Sequence, residues 1–433
     1  MIPELNLTCR FSEQEYHKGV VFIVQALRSC YAVFVGKKEL SQADIDRTAL
    51  FLFTVSLFLP FYFSLVTVSC IAFMTMVKYR IRTDAFRAPF TKLIFTFLVG
   101  SFFVAAAYNN YRGMAYSILI YAIVVCGLYF MSIMTRELYH MALDTACAAS
   151  ILCAVTAFIQ KIVVYPTSHV YRPVSMFVNA NYYGMMIEFV VAIALYRIFT
   201  NPKKTMQYVI VIGLNLAALY LTASLSSAAG MVCAVLVLLV YKHKSKISKA
   251  SFIVLIAAGV AFVVFPQLLP RTSAAIELTI NERTSIWGAA WRAFEATPVF
   301  GRGATAYHII WEQFGGYKTY HCHNLMLDTL LNFGIVGAAA ICVYIGSYIR
   351  LLVQRFRHNI CRDLDILVAA VFVSVLVHGL TDVTIVWIQT GAFFFLIISC
   401  LGIDSAYRRE KEYLTHLVPT LEDRTAQAAY LKN

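Results

Sequence analysis

Two histidines, His321 and His323, stand at the mouth of an apolar run in the stretch HCHNLMLDTLLNFGIVG, residues 321–337. Histidine is the side chain that changes its charge near neutral pH, so at a wet helix end it can take a proton from a hydroxyl group. A single histidine at such a position more often packs against lipid headgroups, and a pair of histidines could bind a metal ion. Which of these interpretations applies depends on the structural elements that position the two histidines.

Arginines are concentrated in the segment before the histidines: Arg271, Arg283, Arg292 and Arg302. A guanidinium group is permanently charged, and its planar fork matches the oxygens of a phosphate group. Taken one at a time, these arginines could be solvated or could contact lipid headgroups. As a set beside two histidines, they favour a substrate that carries phosphate.

Four further titratable residues interrupt apolar runs: Glu188, Asp328, His378 and Asp382. A charge inside a membrane is costly, so each of these residues is a candidate for function or for pairing with another polar group. The small-residue cluster TASLSSAAG, residues 222–230, is interpreted differently. Small residues usually allow helices to pack closely, and we favour that role over ligand binding.

The composition requires a membrane. Of 433 residues, 60% are hydrophobic and 14% charged, and the mean hydropathy is +0.71. The net charge of +13 would suggest nucleic acid as a partner of a soluble protein. Here the basic residues lie in short loops between apolar runs, as in membrane proteins, so no nucleic-acid partner is expected. The scattered cysteines are interpreted as small buried hydrophobic residues.

A membrane helix needs roughly 20 apolar residues, and on this criterion the chain has about twelve spans. The predicted spans are residues 17–36, 49–77, 93–108, 113–134, 141–160, 182–199, 206–224, 228–241, 252–269, 325–349, 364–380 and 386–403. They give three parts: helices in 1–269 (about nine), a large loop at 270–324, and about three helices plus a tail in 325–433.

The orientation follows from the basic loops, which all fall on one side of the predicted spans. They are residues 78–92, 201–204, 242–249, 350–362 and 407–411. Basic loops face the cytoplasm, so both termini are expected there. The segments 161–181 and 270–324 then lie on the opposite face. The second contains ERTSIWGAAWRAFEA, whose apolar residues recur with helical spacing, so we expect this loop to be folded and to carry the chemistry.

The sequence resembles the O-antigen ligase and polymerase superfamily of bacterial membrane glycosyltransferases. The first matching motif is His323-Asn324, nine residues, then Gly334-x-x-Gly337. The second is R-x-x-x-W followed by P-x-F-G-x-G, carried by Arg283, Trp287 and residues 298–303. The third is FVNANYYG, residues 177–184, which includes Asn181. The match covers most of the chain and is densest between residues 175 and 340.

The resemblance implies an all-α, GT-C-like polytopic protein of the bacterial cytoplasmic membrane, with its active site on the extracytoplasmic face. Its donor would be a glycan on undecaprenyl diphosphate, and its acceptor a glycan or lipid-linked glycan, among membrane lipids. His323 would activate the acceptor hydroxyl and Arg283 would bind the diphosphate, with inversion and without a metal ion or other cofactor. We assign substrate binding to further residues: Arg172, Asn181, Trp287, Arg292, Arg302, His321, Asn324 and Asp382.

One departure concerns an arginine that many ligases carry between the two central spans. In this chain Ser227 stands at that position, and Arg172, Arg292 or Arg302 could substitute for it. Polymerase and ligase remain open. A transporter or flippase of a lipid-linked sugar or small anion is the alternative, although no internal repeat of the kind that transporters carry is visible.

Overall fold

The fold is entirely α-helical in the part of the chain that a computed structural model describes, residues 41–403 apart from 89, 167, 169–170 and 266–270. The helices are α1 (Gln42–Ser56), α2 (Phe61–Val77), α3 (Tyr79–Ala85), α4 (Thr91–Ala107), α5 (Tyr111–Ile133), α6 (Arg136–Val164), α7 (Ala180–Thr200), α8 (Thr205–Thr222), α9 (Leu225–Tyr241), α10 (Lys246–Val264), α11 (Ser273–Ala296), α12 (Tyr307–Ile310), α13 (Leu325–Arg357), α14 (Arg362–Gly379) and α15 (Ile388–Ile398). Short 3-10 turns, Pro202–Lys204 and Ser399–Gly402, precede α8 and follow α15.

Five helical segments of the described chain are long and apolar enough to cross a membrane: α5, α6, α7, Pro202–Thr222 and α13. Shorter apolar helices are α2, α4, α9 and Ile388–Gly402. The prediction of an all-α membrane protein is therefore confirmed for the described residues. The total of about twelve spans stays a prediction. The predicted span 17–36 lies outside the described residues.

Two predicted spans differ from the structure at helix-breaking residues. The segment 49–77 forms two helices, because Pro60 offers no N–H group and its ring clashes with the preceding turn. Across this break, the Ser64 hydroxyl donates to the Ser56 carbonyl at 2.7 Å. The segment predicted as 325–349 continues to Arg357 and is interrupted at Gly334, where the backbone leaves the helical conformation.

Helix α7 lies at the centre and is buried along nearly its whole length. It packs against α8 and α9, and α9 in turn packs against α14. Glycines allow these approaches: a Cβ at Gly184 would meet Ser227, and one at Gly230 would meet Glu188. The cluster at residues 222–230 therefore serves close helix packing, the role favoured from the sequence.

Glu188 is paired inside this central bundle. Its carboxylate contacts His378 Nδ1 at 2.5 Å and accepts a hydrogen bond from the Ser374 hydroxyl at 2.5 Å. These contacts join α7 to α14 at fully buried positions. These contacts offset the free-energy cost of burying the carboxylate, as expected for a charged group among apolar helices.

The helices carry polar groups at both ends, and the two ends differ. Where α7 ends and α14 begins, arginine–carboxylate pairs join the helices: Arg197–Asp144 at 2.7 Å, Arg136–Asp363 at 3.0 Å and Arg355–Asp365 at 2.9 Å. Where α7 begins, α13 begins and α14 ends, a histidine–carboxylate group is found instead. The candidate site therefore lies at the end that carries the histidine–carboxylate group, opposite to the end with the arginine–carboxylate pairs.

The large loop is folded, as its helical periodicity predicted. Helix α11 begins at a Thr272 cap, whose hydroxyl accepts from the Ala275 N–H at 3.3 Å. Its apolar side packs into a buried cluster together with α12, Cys322 and the first part of α13: Ile286, Ala289, Ala290, Ala293, Ala306, Tyr307, Ile310, Cys322 and Leu331. This cluster fixes the loop against the helix that follows His323.

Candidate active site

His323 occupies the residue directly before the cap of helix α13. The Asn324 side chain caps the helix by accepting from the Leu327 N–H at 2.9 Å, and its amide donates to the Leu380 carbonyl at 3.0 Å. His323 itself has a left-handed backbone, with φ of 51°. A non-glycine residue in this conformation is uncommon and often marks a functional site. Asn324 thus caps the helix, while His323 lies just before the cap in a left-handed conformation.

Asp382 fixes the imidazole of His323. One carboxylate oxygen lies 2.9 Å from His323 Nδ1 and accepts from the Val383 N–H at 2.8 Å. The other oxygen accepts from the Asn181 amide at 2.5 Å. All these partners are donors, so the carboxylate acts only as an acceptor. Residues from three separate parts of the chain therefore meet at Asp382.

Asp382 is held in its ionised form. Burial alone would raise the pKa of its carboxyl group, but the hydrogen bond with His323 and the charges of the neighbouring histidines bring it below its ordinary value. An ionised Asp382 requires the proton of a neutral His323 to sit on Nδ1. The Nε2 lone pair then faces the Thr319 hydroxyl, 3.3 Å away, and can accept a proton.

His321 lies beside His323 and Asp382, but farther from the carboxylate than His323 does. Its Nε2 is 3.8 Å from the carboxylate, and its ring meets that of His323 edge-on with centroids 4.4 Å apart. Its Nδ1 accepts the His323 backbone N–H at 3.3 Å. Burial lowers the pKa of His321, and the nearby Asp382 opposes this only in part. A neutral His321 therefore supports the strained backbone of His323.

Two arginines, Arg172 and Arg283, lie near enough to Asp382 to interact with its charge, and Arg271 is their neighbour. Arg172 donates from Nη2 to the Asn181 side-chain oxygen at 2.5 Å and from Nε to the Thr222 carbonyl at 2.6 Å. Burial and the charge of Arg271 lower the pKa of Arg172, Asp382 opposes this, and Arg283 adds to the lowering. Burial likewise lowers the pKa of Arg283, with Asp382 opposing. The three guanidinium groups repel one another, and Asp382 offsets this only at Arg172 and Arg283, so an anionic ligand would relieve the repulsion.

Arg292 and Arg302 meet elsewhere, at Phe314. Arg292 Nη2 donates to the Phe314 carbonyl at 2.6 Å, while the Arg302 guanidinium lies over the Phe314 ring at 5.4 Å and over the Tyr108 ring at 5.5 Å. Trp287 packs against the buried cluster of the loop. The structure therefore brings together His323, Asp382 and Asn181 with Arg172 and Arg283, and places the other two predicted arginines apart.

The two glycine motifs of the sequence dock onto each other. Gly334 interrupts α13 with φ of 63° and ψ of −170°. The N–H groups of Ile335 and Val336 consequently reach the carbonyls of Pro298 and Val299, at 2.8 and 3.1 Å. The P-x-F-G-x-G turn is thus fastened to the helix that begins at His323.

Asp328 strengthens the same connection and touches no arginine among the described residues. Its carboxylate accepts from the Cys322 N–H at 3.0 Å and from the Asn332 amide at 2.6 Å. The Asn332 side-chain oxygen accepts from the Ala306 N–H at 2.9 Å. Asp328 therefore holds the backbone between His321 and His323, and its role among the described residues is to position that loop.

Alanine at Gly334 is expected to lower the thermal stability of the purified protein. This backbone region is open almost only to glycine and costs other residues about 1–3 kcal/mol, and a Cβ would also meet the Val299 carbonyl. The control is Gly346→Ala in the same helix, where a Cβ has open space. Thermal unfolding in detergent should show a lower midpoint for Gly334→Ala alone; equal midpoints would contradict the docking argument.

Ser227 gives the missing central-span arginine a physical explanation. Its side chain is fully buried, bonds Ser224 at 2.8 Å and lies against Gly184, so an arginine would not fit there. Arg172 instead reaches the same region from the loop between α6 and α7, since its Nε donates to the Thr222 carbonyl at the end of α8. Arg172 is therefore the best placed of the three candidate substitutes.

His321, His323 and Asp382 also form a group that could hold a metal ion, with their ligand atoms within 4.8 Å of one another. A zinc ion would need a nitrogen or oxygen atom of each residue at about 2.0–2.2 Å. In the structure, the His323–Asp382 contact of 2.9 Å has the length of a hydrogen bond. The surrounding arginines disfavour a further cation. The donor set fits a metal chemically, and its electrostatic surroundings favour an anion.

Several residues of the site region were missed by the sequence analysis. Arg271 was noticed among the loop arginines and was not assigned to the site. Thr319 and Tyr320 precede the histidines and carry no motif of their own. Arg112 lies on α5, far away in the sequence, and no spacing connects it to His323. Tyr182 lies within the motif FVNANYYG but was given no role. Only folding reveals these neighbours.

One known family matches part of the chain. Residues 208–342 match the family model described as O-antigen ligase. No curated protein matches the chain. The matched part extends from α8 into α13 and includes Arg283 and His323, while Arg172, Asn181 and Asp382 lie outside it.

Proposed function

We propose that this chain, which belongs to the O-antigen ligase/polymerase superfamily by its match over residues 208–342, transfers a glycan from undecaprenyl diphosphate to an acceptor hydroxyl group. The observation that carries the proposal is the contact of His323 with Asp382 beside three arginines. An oriented imidazole supplies a base, and clustered guanidinium groups supply a site for diphosphate. The product is a longer surface polysaccharide or a glycan joined to a second lipid.

The proposed step begins with the acceptor hydroxyl beside His323 Nε2. As the acceptor oxygen attacks the anomeric carbon of the donor sugar, its proton passes to Nε2. The bond between the anomeric carbon and the diphosphate oxygen breaks, and undecaprenyl diphosphate leaves with the electron pair. Attack from the face opposite to the leaving group inverts the anomeric centre. Asp382 stabilises the imidazolium that forms, since its carboxylate already accepts at Nδ1.

The arginines give the leaving group its binding site. The charges of Arg271 and Arg283 both lower the pKa of Arg172, and the carboxylate of Asp382 acts on Arg172 and Arg283. A diphosphate brings at least two negative charges, which such a cluster would neutralise by charge-assisted hydrogen bonds. Arg172 takes the place of the arginine missing at residue 227. In this proposal the arginines replace a metal ion, and no other cofactor takes part.

The proposed side of the membrane follows from the ends of the helices. His323, Asn181 and Asp382 lie at the ends opposite to the basic loops 201–204 and 350–362. Basic loops remain in the cytoplasm. The site would therefore face the extracytoplasmic side of the bacterial inner membrane, where lipid-linked glycans become accessible to it.

Purified protein in liposomes provides the test. With undecaprenyl-diphosphate glycan as the substrate, we expect new glycosidic bonds, formed equally well in the presence of EDTA. A ladder of chain lengths indicates a polymerase, and a single transfer to an added acceptor indicates a ligase. Loss of transfer on chelation would instead favour a metal at His321, His323 and Asp382. Movement of the lipid-linked glycan across the bilayer without bond formation would indicate the transporter alternative.

Arg283→Ala is expected to lower kcat/KM for the lipid-linked donor about 10- to 100-fold, the value of a hydrogen bond between charged groups. The matched control is Arg292→Ala, an arginine of the same helix that bonds the Phe314 carbonyl instead. Steady-state transfer at varied donor concentration measures both. Equal losses for the two variants would refute the assignment of the diphosphate to the Arg172–Arg271–Arg283 cluster.

A further inference from the structure

The direction of His323 Nε2 indicates where an acceptor must lie. Nδ1 is occupied by Asp382, and Nε2 is 3.3 Å from the Thr319 hydroxyl. An acceptor hydroxyl that gives its proton to Nε2 therefore approaches the large loop at Thr319. The acceptor side of the site is thereby distinguished from the side of Arg172, which reaches Asp382 through Asn181.

An aromatic stack stands at this segment, next to Thr319. The rings of Tyr320 and His308 are nearly parallel, with an angle of 16° and centroids 5.0 Å apart. The guanidinium group of Arg112 lies over the Tyr320 ring at 5.1 Å. We call Arg112, Tyr320 and His308 the Tyr320 stack. It joins helix α5 to the large loop at the residue that follows Thr319.

The Tyr320 stack has unused capacity for binding. Tyr320 is 59% exposed, although it is a large aromatic residue. The Nδ1 atom of His308 is buried and has no hydrogen-bond partner among the described residues. Burial and the charge of Arg112 lower the pKa of His308, against an opposing hydrogen bond with the Thr319 backbone. A neutral, unpartnered imidazole nitrogen can bond a ligand hydroxyl group.

A further tyrosine, Tyr182, directly follows Asn181, whose amide donates to Asp382. Its ring stacks on Trp387 with centroids 5.2 Å apart and an angle of 9°, which fixes its orientation. Tyrosine hydroxyl groups can both donate and accept hydrogen bonds, as sugar hydroxyl groups require.

We propose that the Tyr320 stack, together with Tyr182, is the subsite for a pyranose of the acceptor glycan. This inference rests on the proposed function, and it adds the position of the acceptor. The apolar face of the pyranose lies along the aromatic groups, while its hydroxyl groups bond the tyrosines, Arg112 and His308. The sugar hydroxyl to be glycosylated then points towards His323 Nε2.

The test uses a soluble probe, so that binding is measured apart from transfer. The probe is an oligosaccharide released by mild acid from the lipid-linked glycan of the cells that produce this protein, and it carries a fluorescent label. Binding is measured by fluorescence anisotropy, without any donor, on full-length protein carrying His323→Ala, where transfer is expected to be about 10²- to 10⁴-fold slower. Tyr320→Ala in this background is expected to raise the Kd about tenfold, and Tyr320→Phe much less, since the ring remains.

Tyr317→Ala is the matched control, because Tyr317 belongs to the same segment, is 52% exposed and contributes its backbone carbonyl to Tyr307. Its Kd should equal that of the His323→Ala parent. Absence of binding to the parent, or the same Kd for Tyr317→Ala and Tyr320→Ala, overturns the subsite. Near wild-type transfer by His323→Ala, measured separately with the lipid-linked donor, overturns the proposed function instead, so the two failures are distinguishable.

Discussion

Replacement of His323 by alanine is expected to lower the rate of glycan transfer by about 10²- to 10⁴-fold, the usual contribution of a general base. The substitution removes Nε2, the nitrogen left free to accept a proton when Asp382 holds Nδ1. Single-turnover release of undecaprenyl diphosphate from purified protein measures the chemical step. Donor binding should change little, because Arg172 and Arg283 remain.

His323→Asn distinguishes the loss of the base from any disturbance of the left-handed backbone at residue 323. Asparagine tolerates the left-handed conformation better than most residues, so it preserves the φ of 51° while it removes the imidazole. We expect this variant to be as inactive as the alanine variant. His321→Ala should cost less, because His321 lies 3.8 Å from Asp382 and contacts His323 through the backbone. Near wild-type transfer by His323→Asn would disprove the role of the base.

Asp382→Asn is expected to lower transfer by about 10²- to 10⁴-fold, although it changes little in size. The carboxylate accepts from His323, Asn181 and Val383, and all three are donors. An amide has only one acceptor oxygen, so its NH2 group must face one of these donors. If it faces His323, the imidazole changes tautomer and Nε2 carries the proton. The base is then blocked while its position is unchanged.

The control for this variant is Asp363→Asn at the opposite end of the helices. Asp363 pairs with Arg136, and both side chains are partly exposed, with 30% and 47% of their surface accessible. Pairs of this kind contribute little to stability. Transfer rates and thermal midpoints should distinguish the two variants. If Asp363→Asn reduced transfer as strongly as Asp382→Asn, the loss would reflect a general effect of removing a carboxylate.

Helices and local caps could be predicted from the sequence, because their causes lie within a few residues. Apolar runs located α5 to α9 within a few residues of their observed ends. The helical periodicity of residues 282–296 predicted α11, although the helix begins earlier, at Ser273. The spacing of His323 to Gly334 marked both residues as a motif, although the break of the helix at Gly334 was not predicted. These features depend on backbone conformation, which local residue types determine.

The assembly of the site could not be predicted in this way. Asp382 is 59 residues from His323 and 201 residues from Asn181, and only tertiary packing brings the three together. Charge alone did not separate Arg283 from Arg302, because Arg302 ends between two aromatic rings that lie far apart in the chain. Pro60 carried a local signal, yet the apolar run around it was long enough to conceal the break between α1 and α2.

The central claim is that His323 and Asp382 act as one unit, in which the carboxylate works through the imidazole. The most direct measurement compares single-turnover transfer by His323→Ala, Asp382→Asn and the double variant. Residues that act as a unit have non-additive effects. The double variant is predicted to transfer glycan at the rate of His323→Ala alone. A rate lowered by the product of the two separate losses would show that Asp382 acts independently, and would contradict the account.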